Sequence, residues 1–431
     1  MTDATGIRLT VAPSQPLVDD PLGVVVSGCR PRRPVVVRAR MRDGLDRVWE
    51  SQAAFEAGGD GGLEIATSRP LAGTYDAPDA RGLLWSMRLV EGQAGGSWTN
   101  ASALETEFVA ESDGERAGSA RVSRLFAGPG VSRTEVRDDG LVATFFRPAG
   151  AAPRPAVVVV PGSGGGVPEG PAALLASHGF AGLALAYFRA GHLPESLAEI
   201  PLEYFDTAIR WLQRHEAVAG RPLGVMGTSR GGELALLLGS TFSDFRAVVG
   251  YVPSGVVHAG ISGGGLREAR RRPAWTYKGK AAQPFIASRD ASRMDEPAPS
   301  PEPLALTPFF LKALEDRAAA GAAEIPVERI NGPVLLISGQ DDQMWPSPVL
   351  AEIAMKRLAR HRHRFPYTHL SYPGAGHIIG QPGLPATVTA SEHPLAGRAL
   401  AYGGNPKANA AAAADSWPKV LALFRETLAP N

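Results

Sequence analysis

One stretch constrains the fold more than any other: Leu223-Gly-Val-Met-Gly227-Thr228-Ser229-Arg230-Gly231-Gly232-Glu233, followed by Leu-Ala-Leu-Leu-Leu. Its apolar start predicts a buried strand, its Gly-x-Ser-x-Gly centre a sharp turn, and its apolar end a helix. A serine on so tight a strand-to-helix turn must take a strained backbone. Gly227 and Gly231 remove the side chains that would collide there, forming a nucleophile elbow. The helix N-terminus favours the anion formed when such a serine attacks a carbonyl. Five-residue matches arise by chance, so the weight rests on the strand-turn-helix setting.

A serine is a poor nucleophile without a base, and the base needs a third group to orient it. In an α/β-hydrolase the acid and then the histidine follow the nucleophile, each on a loop after a later strand. Val334 to Ser338 reads as a buried strand, and the loop behind it, Gly339-Gln340-Asp341-Asp342-Gln343-Met-Trp345-Pro346, offers the acid. Asp342 is the preferred candidate; Asp341 is a rival that only geometry separates from it. His369-Leu-Ser-Tyr-Pro-Gly374-Ala375-Gly376-His377 is a strand running into a glycine-rich turn that presents an imidazole. Of nine histidines, His377 alone has this order and setting; His178, His361 and His363 read as surface or capping groups. Backbone N–H donors for an oxyanion are expected from Arg230 and from Gly162-Ser163-Gly164-Gly165-Gly166, with Ser163 and Gly164 favoured. That glycine loop lacks the Gly-Lys-Ser/Thr ending of a nucleotide-binding loop. The chemistry calls for no cofactor and no metal.

Length and texture frame this site. A chain of 431 residues suggests two domains. Up to about residue 110, short strands alternate with turns: Ile7 to Val11, Leu22 to Val26, Val35 to Arg40 and Leu83 to Val90. The second and third look like neighbours in a small antiparallel sandwich. A polar, Gly/Ala/Ser-rich stretch from Glu111 to Ser123 places the junction near residue 120. Beyond it, apolar runs at Ala156 to Val160, Gly182 to Ala186, Leu223 to Met226, Ala247 to Tyr251 and Val334 to Ser338 alternate with helical patterns. These suit a parallel sheet covered on both faces. An irregular insert over about 256–305, with Gly263 to Gly265, Arg270-Arg271-Arg272 and a run of prolines, is expected to cap the site. Ala408 to Ala414 and Val420 to Phe424 fit terminal helix.

Composition narrows the classes. With 44 basic and 43 acidic side chains, net charge +1, there is no overall field to attract nucleic acid or an anionic membrane. Forty-four per cent hydrophobic residues argue against global disorder. The one cysteine, Cys29, fits a reducing compartment, with the cytosol as the simplest expectation. Neither a membrane span nor a targeting signal is expected from the sequence. Oligomeric state is left open.

Several of these stretches resemble the acyl-CoA thioesterase / bile acid-CoA:amino acid N-acyltransferase family, especially its bacterial members. The resemblance is carried by Leu17-Val-Asp-Asp-Pro-Leu, Gly82-Leu-Leu-Trp-Ser-Met, Pro161-Gly-Ser-Gly-Gly-Gly, Leu183-Ala-Leu-Ala-Tyr-Phe, Gly227-Thr-Ser-Arg-Gly-Gly-Glu, Ala274-Trp-Thr-Tyr-Lys-Gly-Lys, Gly339-Gln-Asp-Asp-Gln-Met-Trp and Tyr372-Pro-Gly-Ala-Gly-His. It implies an immunoglobulin-like sandwich over 1–120 and an α/β-hydrolase domain over 121–431. It also implies a triad of Ser229, Asp342 and His377 acting on acyl-CoA thioesters. Serine rather than cysteine at the nucleophile favours water as acceptor. Transfer to an amine or alcohol, or hydrolysis of an ester, lactone or amide, are the alternatives. An anionic CoA would want cations near the pocket mouth, for which Arg189, Arg230, Arg270, Arg271, Arg272, Lys278 and Lys280 are candidates.

Overall fold

The computed structural model describes residues 6–92, 100–112, 115–150, 152–261, 272–287 and 302–428. Alternating apolar residues build a β-sandwich from β1 (Arg8–Ala12), β2 (Gly23–Ser27), β3 (Pro34–Arg42), β4 (Val48–Glu56), β5 (Leu63–Glu64), β6 (Ala72–Gly73), β7 (Arg88–Glu91), β8 (Leu104–Ser112) and β9 (Glu115–Arg124). One sheet has the order β1-β2-β5 and the other β6-β4-β3-β8-β9, with β7 also on β4.

Three expectations change here. The segments Leu22–Val26 and Val35–Arg40 are not neighbours, because β3 is paired on both edges, Ala39 opposite Ser51 on one side and Phe108 on the other. β2 pairs with β1 and β5 instead. Leu83 to Val90 is not one strand. Leu83, Leu84, Trp85 and Met87 are all buried, which an alternating strand cannot achieve on one face, and Gly82–Trp85 forms a helical turn, α1, before β7. Finally, the polar stretch near residue 120 is no linker. It is β9, paired antiparallel with β8; its polar composition is that of a strand with one face in solvent. The chain leaves the sandwich at Arg124 and enters the next sheet at Ser132.

That sheet is eight-stranded. The remaining strands are β10 (Ser132–Val136), β11 (Val142–Arg147), β12 (Arg154–Val160), β13 (Ala181–Ala186), β14 (Ile200–Pro201), β15 (Val218–Thr228), β16 (Phe245–Tyr251), β17 (Trp275–Tyr277), β18 (Lys280–Ala281), β19 (Val334–Gly339), β20 (Tyr367–Tyr372), β21 (Ala390–His393) and β22 (Arg398–Ala401). Helices α2 (Glu169–Ser177), α3 (Glu203–Arg214), α4 (Arg230–Thr241), α5 (Thr307–Ala313), α6 (Arg317–Ala322), α7 (Ser347–Arg360) and α8 (Pro406–Leu428) alternate with them. The order β10-β11-β13-β12-β15-β16-β19-β20, parallel from β13 to β20, is the α/β-hydrolase architecture. The two apolar stretches near the C-terminus lie on one helix, α8, with Pro418 inside it. Among the described residues no helix is long and apolar enough to cross a membrane.

Alternation along the strands sorts the sheet's faces. Ala156, Val158, Val160, Leu223, Val225 and Leu336 pack with α3, α4 and α7. Val157, Val159, Met226, Val249, Leu335 and Ile337 pack with α2 and α8 in a core continuous with the sandwich.

Polar ties cross that core. Asp19 Oδ2 accepts hydrogen bonds from His178 Nε2 at 2.6 Å and Trp417 Nε1 at 2.7 Å. Burial opposes ionisation of Asp19, but these bonds outweigh it and hold its carboxyl below the ordinary range. Fully buried Arg124 on β9 donates through Nη2 to Val18 O at 2.8 Å and Gly383 O at 2.6 Å. Removing the guanidinium strands both carbonyls without water, so Arg124→Met should destabilise the protein by about 2–4 kcal/mol. Chemical denaturation will measure this, and a loss under about 0.5 kcal/mol would refute the tie.

Candidate active site

Ser229 sits between β15 and α4 with φ 58° and ψ −120°, a backbone region costly for any residue with a Cβ. Its neighbours impose it. A Cβ on Gly227 would lie 2.0 Å from Gly231 O, and one on Gly231 would lie 2.4 Å from Pro161 O. Ser229 N–H donates to Tyr251 O at the end of β16, 2.8 Å away. The elbow is therefore wedged between the ends of β12 and β16, the two strands flanking β15.

The loop after β12 lies directly across from it. A Cβ on Gly162 would come within 3.4 Å of Ser229 Cβ. Within the loop, Gly165 N–H is taken by Gly162 O and Gly166 N–H by Phe188 O. Ser163 and Gly164 N–H have no backbone partner among the described residues. Arg230, first residue of α4, presents an N–H of the kind that finds no acceptor within its own helix. Tyr187 Oη donates to Pro161 O at 2.8 Å and anchors the loop's root.

Asp342 and His377 stand on the loops after β19 and β20. His377 Nδ1 is 2.9 Å from Asp342 Oδ2 and 3.0 Å from Oδ1. Oδ1 also accepts N–H groups from Met344 at 3.0 Å and Trp345 at 3.2 Å, which fixes the carboxylate plane. Asp341 faces elsewhere: its Oδ2 accepts from Gly404 N–H at 3.0 Å. With Nδ1 turned to the carboxylate, Nε2 is the ring nitrogen left for proton exchange. His377 N–H donates to Tyr402 O at 2.8 Å, and the Tyr402 ring stacks over the imidazole. Ser229, His377, Asp342 and the glycine loop thus gather at the carboxyl edge of one parallel sheet, where α/β folds place their sites.

Beside Ser229 lies a cavity of about 130 Å³, mostly apolar, with Ile261, Ile286, Leu304, Leu306, Phe310 and Met344 in its wall. The expected cap over 256–305 contributes Ala259, Ile261, Ile286 and Leu304 to it; Gly263 to Gly265, Arg270, Arg271, Pro297, Pro299 and Pro301 lie outside the described residues. The rest of the cover was not foreseen. It comes from α5 and from the β21–β22 hairpin, which brings His393, Leu395, Arg398 and Leu400 to the cavity.

Several cations expected at the mouth are committed. Arg230 Nη1 is 3.0 Å from buried Glu233, and its Nη2 donates to His258 O and Ala259 O at 3.2 Å each. Arg272 pairs with Glu199, and Arg189 Nη1 donates to Gly164 O at 3.0 Å, bracing the glycine loop. Lys278 lies over the Tyr277 ring. Glu233 is the group that sequence reasoning missed: fully buried beneath the elbow, it also accepts from Trp275 Nε1 at 2.7 Å and meets His258 Nδ1 at 3.0 Å. An acid in the first turn of α4 is common enough that the sequence carries no mark of this role.

A second overlooked group is His393, whose Nε2 is 2.8 Å from Ser163 Oγ. Burial, then His377 and Arg189, push its pKa down to about 4. The unfolded chain takes up this proton near pH 6.5 and the folded chain only near 4. His393 therefore adds no penalty above about pH 6.5, and stability declines as pH falls through that window. His393→Gln should flatten this decline. Thermal midpoints of both proteins between pH 7 and 4 will test it; parallel curves would contradict it.

Comparison with known proteins bears on the whole chain. Residues 200–430 match the family profile described as BAAT / Acyl-CoA thioester hydrolase C terminal, and residues 19–138 match Acyl-CoA thioester hydrolase/BAAT N-terminal region. The chain is 33% identical to peroxisomal succinyl-coenzyme A thioesterase of Mus musculus over 430 residues, covering 95% of this chain and 94% of that one. It is 31% identical to mitochondrial acyl-coenzyme A thioesterase 2 of Mus musculus, over 98% of this chain and 90% of that one. Acyl-coenzyme A thioesterase 1 of Homo sapiens is 32% identical, over 95% and 94%.

Proposed function

Since the chain belongs to the acyl-CoA thioester hydrolase/BAAT family, we propose that it hydrolyses acyl-CoA thioesters through an acyl-serine at Ser229. The observation that carries this reading is the buried Asp342–His377 pair at the same sheet edge as the strained serine. His377 Nε2 takes the proton of Ser229 Oγ as the oxygen bonds to the thioester carbon. The negative charge on the carbonyl oxygen is met by the N–H groups of Arg230 and of Ser163 or Gly164. As the C–S bond breaks, His377 returns the proton to the sulfur of CoA. Water then attacks the acyl-serine, giving one proton to His377, which passes it to Ser229 Oγ as the acyl C–O bond breaks and the acid is released. Asp342 keeps Nδ1 protonated and stabilises the imidazolium.

The apolar cavity wall supports an apolar acyl group. Serine at the nucleophile supports water as acceptor, since an acyl ester is less reactive toward amines than an acyl thioester. Cys29, single and buried, is compatible with the cytosol as the proposed compartment.

Purified protein incubated with short, medium and long acyl-CoAs and succinyl-CoA, with and without amino acids, should release free thiol and acid, fastest with an apolar acyl group and without conjugate. Conjugate formation would establish transfer, and activity on simple esters but no thioester would overturn the CoA assignment. Ser229→Ala should abolish both turnover and fluorophosphonate labelling. Asp342→Asn should lower kcat by about 10³- to 10⁴-fold, whereas Asp341→Asn should cost less than about tenfold; the reverse ranking would reassign the acid.

A further inference from the structure

The side chains of Ser163 and His393 take no part in the steps above, yet both line the cavity beside Ser229. We infer that the Ser163 hydroxyl is a third hydrogen-bond donor to the reacting carbonyl oxygen, aimed there by the His393 imidazole. This rests on Ser229 being the nucleophile.

Proton positions follow from the partners. Leu395 N–H donates to His393 Nδ1 at 3.3 Å, so that nitrogen carries a lone pair. A neutral imidazole accepting at Nδ1 holds its proton on Nε2. Nε2 lies 2.8 Å from Ser163 Oγ, so the ring donates and the serine oxygen accepts. The hydroxyl hydrogen of Ser163 cannot then serve His393, and it turns to another acceptor. Burial, reinforced by His377 and Arg189, keeps the ring in this neutral form.

Position supplies the acceptor. Ser163 follows Gly162, whose Cα packs against the nucleophile so closely that a Cβ there would meet Ser229 Cβ at 3.4 Å. Ser163 and Ser229 line the same cavity, so the Ser163 hydroxyl borders the space where the carbonyl carbon bound by Ser229 would lie. In a wall built of Ile261, Leu304, Leu395 and Leu400, a donor fixed in advance is worth far more than in water. The imidazole here is a positioning group: it touches Ser163 and acts through it.

The test measures kcat and KM on an acyl-CoA and on a p-nitrophenyl acyl ester, because a donor to the carbonyl acts whatever the leaving group. Ser163→Ala should lower kcat by about 10- to 100-fold on both, with KM moving less than about threefold. Ser163→Thr should recover most of the loss. His393→Leu should resemble Ser163→Ala, while His393→Gln, whose amide can donate to Oγ, should be faster than His393→Leu. The double variant S163A/H393L should fall no more than about twofold below the slower single variant. A purely structural pair predicts otherwise: kcat of folded Ser163→Ala within about twofold of the parent, or Ser163→Thr as slow as Ser163→Ala, would overturn the inference. If an alanine or leucine variant fails to fold, the Thr and Gln variants decide it, since both should stay well above the tenfold loss. Ser229→Ala separates the two readings: an inactive Ser229→Ala beside an unimpaired Ser163→Ala removes this inference alone, whereas an active Ser229→Ala removes the nucleophile.

Discussion

A serine held at φ 58° and ψ −120° survives only where the surrounding chain leaves it no alternative. Such strain costs about 1–3 kcal/mol, and here it is balanced by the lateral pairing of β15 and by the Ser229 N–H bond to Tyr251 O. Because strands on both sides hold β15 in register, the turn cannot relax by sliding. The direction of the Ser229 Cα–Cβ bond is thereby set by the sheet. Every other group at the site is arranged relative to that direction, on loops leaving the same edge.

Beneath the turn the protein keeps a carboxylate in a dry place. Glu233 is buried yet meets Arg230, His258 and Trp275, so its charge is compensated and its oxygens are occupied. Losing any one partner would leave a buried charge short of donors, which is costlier than the bond itself. The same network holds the Arg230 guanidinium between Glu233 and the carbonyls of the cavity wall. Arg230 can then offer its backbone N–H at the elbow while its side chain binds the carbonyls of His258 and Ala259, which border the cavity. One residue couples the turn to the cavity wall.

Much of this was legible in the sequence because it is local. Strand, turn and helix around Ser229 follow from periodicity and glycine placement, as do the loops that carry Asp342 and His377. The choice between Asp341 and Asp342 was not legible, since adjacent side chains point in opposed directions and only the bonds to His377 and Gly404 separate them. Nor was the pairing of β2 and β3, because strands of one composition pair according to which edges remain free. The β21–β22 hairpin was invisible for a different reason. Its two strands are only four residues each, and its meaning lies in reaching Ser163, 230 positions earlier in the chain. Glu233 looked like an ordinary first-turn acid; burial alone made it a core residue.

The stretch following His377 is stitched to the sandwich at three points: Gly383 O to Arg124, Ala386 N–H to Trp85 O at 2.9 Å, and Thr387 Oγ1 to Met87 O at 2.6 Å. A ribosome makes the sandwich first, and N-terminal units generally fold as they emerge. The surface that receives the histidine loop therefore stands ready before the loop is synthesised, and the early half of the chain acts as a template for the last part of the site. Some 380 residues must be threaded out before the loop that carries His377 can dock against that surface.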